Sequence, residues 1–126
     1  MARRIIDTPD APGSGGGAPY SQAVVAAGLV FVSGQAPLDP HTGEVVGETA
    51  EEQLRQSLAN IEAILLAAGS SLDKVVQSTI ILRDKDDFAA VSSEWARWFP
   101  DDPPARLGAL LPVDFVRVSV AVIAEA

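Results

Sequence analysis

Apolar positions change their period several times along the chain. From Gln22 to Gln35 they alternate with polar or small residues and break at Ala27-Gly28, which predicts two strands. In the second, Phe31, Ser33 and Gln35 are expected on one face, with Val30, Val32 and Gly34 on the other. Between Thr49 and Ala68 the spacing becomes three and four. Leu54, Leu58, Ile61, Leu65 and Ala68 form a stripe, and Glu51, Glu52, Arg55 and Glu62 fall outside it. This predicts a helix capped by Thr49, with Glu52 completing a capping box and Gly69 stopping it. Val75 to Arg83 is rich in β-branched residues and predicts a strand. Asp84 then reads as the N-cap of a second helix. Its stripe is Phe88, Val91, Trp95 and Trp98, and Pro100, Pro103 and Pro104 end it.

The last third reads as a hairpin. "ARLGALL" leads to a turn at Pro112 to Asp114, and "FVRVSVAVIAEA" returns. Val116, Val118, Val120 and Val122 should face one way, and Phe115, Arg117, Ser119, Ala121 and Ile123 the other. Near the start, "RRIID" is a candidate edge strand, and residues 9–19 form a Gly-, Pro- and Ser-rich flexible loop. "PLDPHTGEVV" supplies turn chemistry and places His41 in an exposed turn.

The resulting order is three strands, a helix, a strand, a helix and two strands, within one domain spanning residues 1–126. This is an α+β pattern: a sheet of about six strands with two helices on one face. The other face is left partly apolar, with Phe31, Ala121 and Ile123, which predicts association through the sheet.

Composition narrows the chemistry. The chain has 126 residues, 48% of them hydrophobic, so a core can form without cross-links. With no cysteine, disulfides and thiolate nucleophiles are excluded, and a single histidine excludes a multi-histidine metal centre. No metal or cofactor is implied. The net charge of −8 disfavours nucleic acid as a partner. No signal-like or membrane-length apolar run occurs, so the expectation is a cytoplasmic protein.

Five ordered stretches, "APYSQAV", "VFVSGQAPLDPHTGEV", "QLRQSLANIEAILLAAG", "STIILRDKDDFAAV" and "PPARLGALLP", resemble the RidA (YjgF) family, whose older members carry an endoribonuclease L-PSP label. The resemblance implies a chorismate-mutase-like fold and a homotrimer with a central barrel. It also implies clefts between subunits that hydrolyse reactive enamines and imines, such as 2-aminoacrylate, to 2-oxo acids and ammonia. By the same resemblance, Arg106 pairs with a substrate carboxylate, a role suited to a guanidinium's two parallel hydrogen bonds. Tyr20, Ser33 and Gly34 match cleft positions, where a glycine permits close backbone approach.

Several positions depart from the family pattern. Ser92 replaces an asparagine on the second helix, and Leu107 and Gly108 replace a Ser-Cys pair, although Gly108 still offers a backbone carbonyl. Deaminating members carry a glutamate on the last strand that activates water; here the valine alternation places Ser119 at that position, a one-residue register shift places Val118 there, and neither is acidic. Beyond Arg106 the only side-chain carboxylates are Asp114, in the turn, and Glu125, six residues past Ser119 or roughly 20 Å along an extended strand. Loss of a general base typically costs about 10²–10⁴-fold.

The primary expectation is therefore a RidA-like deaminase with an altered cleft. Arg106, Tyr20 and Ser119 act in the reaction, and Ser33, Gly34, Ser92 and Gly108 help bind a small anionic substrate or a larger imine or enamine-like intermediate. The alternatives are a metabolite-binding protein without turnover, or an RNA-cleaving or translation-inhibiting member.

Overall fold

Ala27 and Gly28 both take positive φ, 53° and 76°, as a two-residue hairpin turn with right-handed strand twist requires. The turn joins β2 (Ala23–Ala26) to β3 (Leu29–Gln35), and β1 (Arg4–Ile6) adds antiparallel to β2 at the edge. These elements belong to a computed structural model that describes residues 2–126. No helix among them is long and apolar enough to cross a membrane.

Residues 9–19 carry neither helix nor strand, yet their first part is fastened. The buried Gln22 amide donates to the carbonyls of Thr8 at 3.0 Å, Ala11 at 3.2 Å and Pro12 at 2.9 Å, and its oxygen accepts from the Thr8 amide at 2.7 Å. Ala11 is fully buried, which the composition of the loop does not announce.

The first helix forms as its pattern predicts. α1 spans Ala50–Ala67; Thr49 Oγ1 accepts from the Glu52 amide, and Glu52 accepts from the Thr49 amide. At its end Gly69 takes φ 83°, the Gly69 amide donates to Leu66, and the Ser70 amide donates to Leu65. Together they form a Schellman close. Leu54, Leu58, Ile61, Ile64 and Leu65 are wholly enclosed against the sheet. At about 1.5–3 kcal/mol for each such side chain, this stripe anchors the layer. Polar positions of α1 tie down the neighbouring loop: Asn60 donates to the carbonyls of Ala36 and Leu38, and Gln53 donates to that of Gly47 and accepts from the Arg117 amide.

β4 (Val75–Leu82) is followed by a short 3₁₀ turn, Lys85–Asp87, and α2 (Phe88–Trp98). Asp84 does cap, but its carboxylate accepts from the Asp86 amide of that turn rather than from α2 itself. Of the predicted stripe, Val91 and Trp95 are buried and Trp98 is half-buried, whereas Phe88 is exposed.

The predicted terminal hairpin is not formed. β5 (Ala105–Leu110) pairs with β4 in parallel, and β6 (Val118–Glu125) runs antiparallel between β3 and β4. The sheet order is β1-β2-β3-β6-β4-β5. The reason is burial. Val118, Val120, Val122 and Ala124 are all enclosed, which a central strand can achieve, while all six residues of β5 are exposed, as suits an edge. Parallel pairing with β4 is reached through the α2 crossover.

A bulge corrects one further expectation. Val32 pairs with Val122 and Gln35 with Val120, so β3 spends three residues where β6 spends two. Gln35 therefore joins Val30 and Val32 on the buried side instead of sharing a face with Phe31. α1 packs against this buried side and α2 packs beside α1, its Val91 and Trp95 joining the same core, while Phe31, Ala121 and Ile123 lie on the open side, as predicted.

Candidate active site

Arg106 stands on β5 opposite Ser78 of β4. Ser78, Ile80 and Leu82 point into the helix-covered side, so their register partners Arg106, Gly108 and Leu110 face α2. There the guanidinium is held in place. Its Nη2 donates to Ser92 Oγ at 3.1 Å, and its carbon lies 5.7 Å from the Phe88 ring centre and 5.6 Å from that of Trp95. Both distances are within cation–π range. Trp95 is itself fixed by burial and by Phe99, whose ring centre is 4.7 Å away.

Arg106 lines a cavity of about 550 Å³ between the β4–β5 edge and α2. Ile80, Leu82 and Val91 form apolar walls, Phe88 and Leu110 flank it, and Lys85 also reaches it. Ser92 and Gly108 belong to the same lining, so three of the predicted positions meet here. An anionic group entering would find a charged, partly immobilised fork of N–H donors over a low-dielectric wall.

The remaining positions lie elsewhere. Ser119 pairs with Ile81, whose side chain is on the open face, so Ser119 and Arg106 occupy opposite faces of the sheet. Ser119 neighbours Gly34: a methyl group built on Gly34 would come within 3.6 Å of Ser119 Oγ. Ser33 Oγ donates to the Ser21 carbonyl at 2.6 Å, which also fixes the approach to β2. Tyr20 is 66% exposed and borders a separate hollow with Ile5, Asp7 and Pro19, at the β1–β2 edge of the sheet. Three strands, β4, β6 and β3, separate β2 from β5. At about 4.8 Å per step, Tyr20 and Arg106 stand on the order of 20 Å apart across one sheet. The predicted set is thus not gathered within one chain.

Sequence reasoning missed three contributors. Periodicity shows Phe88 and Trp95 only as an apolar stripe, yet with Ser92 they occupy positions i, i+4 and i+7 of one helix face. That spacing was available as a signal. Lys85 carried none, because its place depends on where the β4–α2 connection bends. Among the described residues no group of histidine, aspartate and glutamate could hold a metal ion.

A family model described as endoribonuclease L-PSP matches residues 10–126. The chain belongs to the RidA family. It is 45% identical over 105 residues to a RutC family protein of Pyrococcus horikoshii, covering 83% of this chain and 82% of that one. It is 42% identical over 106 residues to a goat protein named 2-iminobutanoate/2-iminopropanoate deaminase, covering 84% and 76%. Among solved structures, a Rid-family protein of Yersinia pestis superposes with a TM-score of 0.92 at 37% identity, over 99% of this chain and all of that one. In this RidA-family member no carboxylate among the described residues lines the Arg106 cavity, and Ser119 is a half-buried hydroxyl between Val118 and Val120.

Proposed function

We propose that the protein hydrolyses the C=N bond of 2-imino acids, and of the 2-enamino acids that tautomerise to them. One water adds to the imine carbon; its oxygen becomes the keto oxygen and the nitrogen leaves as ammonia. The observation that supports this reading best is the held guanidinium of Arg106 at an apolar cavity, in a chain related to proteins named as imine deaminases. Arg106 anchors the substrate carboxylate, and the Gly108 backbone offers a carbonyl to the nitrogen end. Ser119, Ser33, Gly34 and Tyr20 complete the site from another copy in a homotrimer, because their own chain keeps them away from Arg106. An iminium carbon is electrophilic enough for a positioned water, so orientation carries the reaction where the acid is missing. The small residues Gly108, Ser119 and Ala121 leave room for an intermediate larger than 2-aminoacrylate.

The test follows 2-oxo acid release from an imino acid generated in situ. Wild type accelerates release, Arg106→Ala loses about 10²-fold in kcat/KM, and Ser119→Glu gains at least about tenfold in kcat. Turnover that Arg106→Ala leaves untouched overturns the reading. The lack of a carboxylate in the cavity favours a second reading, a carboxylate-binding protein without turnover. It predicts ligand-dependent stabilisation of wild type, with release appearing only in Ser119→Glu.

A further inference from the structure

We infer that the Arg106 cavity selects substrates carrying a second acidic group, namely dicarboxylic 2-imino acids, with Lys85 as the residue that reads the second carboxylate. The inference rests on the deaminase reading of that cavity. The chain has 17 acidic and 9 basic residues. Against that background the cavity is anomalous, because among the described residues two cations, Lys85 and Arg106, line it and no carboxylate does.

Lys85 is free to act. It lies between Asp84 and Asp86 with Asp87 beyond, yet among the described residues it makes no ion pair. Two of those carboxylates are engaged elsewhere. Asp84 accepts from the Asp86 amide at 2.9 Å, and Asp87 is bound by Arg117 at 3.1 Å. The ammonium is thus left to the cavity and to solvent.

The two cations enter from different directions. Arg106 comes from the β5 level of Ser78, and Lys85 from just beyond Leu82. Four residues of strand separate those levels, about 13 Å, and two long side chains shorten that span. Ile80, Leu82 and Val91 form apolar wall between them. A monoanion on Arg106 engages only one of the two cations and leaves the exposed Lys85 to water, whereas a short dianion engages both. A purely apolar substrate side chain would press against the ammonium and desolvate it.

The experiment supplies 2-iminosuccinate or 2-iminoglutarate, made in situ from aspartate or glutamate by an amino-acid oxidase, and 2-iminobutanoate, made from threonine by a dehydratase. In wild type, kcat/KM for the dicarboxylic imines exceeds that for 2-iminobutanoate by about tenfold or more. Lys85→Met collapses that ratio by about tenfold, and Lys85→Arg preserves it. In parallel, thermal stabilisation by 2-oxoglutarate is compared with that by 2-oxobutanoate. Turnover of 2-iminobutanoate with no dicarboxylic preference, or with a preference that Lys85→Met leaves intact, overturns the inference and leaves the deaminase reading standing. No turnover of any imine, with Lys85-dependent stabilisation by 2-oxoglutarate, upholds the dianion site and removes the deaminase reading. No turnover and no difference in stabilisation overturns both.

Discussion

Glu94 is the most enclosed carboxylate described, 6% exposed on α2. Arg55 reaches it with Nη2 at 3.2 Å and Nε at 3.1 Å, and Trp98 Nε1 donates at 3.0 Å. The Arg55 hydrogen bond, helped by Trp98 and the arginine charges, outweighs burial and holds the carboxyl below the usual glutamate range. A folded-state value below the unfolded one means that the contribution is complete above the unfolded glutamate value and disappears as pH falls through the folded one. Glu94→Gln should therefore cost about 1–3 kcal/mol at pH 7, and less toward pH 3. Urea denaturation at both values checks it; a cost independent of pH contradicts the ionic account. Residues of this kind were readable only in part. Arg106 and Ser92 stood out through the motifs around them. The rings that clamp the guanidinium are visible only once Phe88, Ser92 and Trp95 are placed on one helix face. Glu94 looks like any surface acid until Arg55, 39 residues away, comes beside it.

Among the elements, α1 depends on its ends. Thr49 both accepts from the Glu52 amide and donates its hydroxyl to the Glu52 carboxylate at 2.9 Å. Thr49→Ala should cost about 1 kcal/mol, read as a lowered urea midpoint with an unchanged m-value, and Thr49→Asp should keep most of the stability. If both variants lose equally, the cap is not the cause. This helix was fully legible because its stripe, its cap and its glycine stop all lie within a few residues of one another. The terminal strands were not. Turn residues at Pro112 to Asp114 favour a hairpin locally, and the decision between hairpin and insertion rests on which strand can bury four alternating positions. That is a comparison across the whole sheet. The strand–helix–strand order did contain the parallel crossover of β4 and β5, but the nearer turn obscured it. The β3 bulge leaves no local mark either, since it is set by pairing with β6.

At the scale of the molecule, the open sheet face and the β5 edge pose one question. Phe31 is 41% exposed and Leu107 60%, and Ile123 lies between strands on the same open side. An apolar face of this kind is a liability in a lone chain and an asset in an assembly. If copies pack through it, the separation of Arg106 from Tyr20 and Ser119 is resolved by contributions from two chains. Complementation tests this directly. Arg106→Ala and Tyr20→Ala are each expected to lose most activity alone. Mixed after denaturation and joint refolding, random assembly pairs an intact Arg106 with an intact Tyr20 of a neighbour at about a quarter of the sites, so about a quarter of wild-type activity should return. A site built within one chain cannot be rescued this way, and activity staying at the level of the separate variants would refute the shared site. Phe31→Asp supplies the companion result. A charge on the open face should shift the native mass toward one chain and remove activity, while circular dichroism remains that of the folded protein, because Phe31 contributes little to its own core.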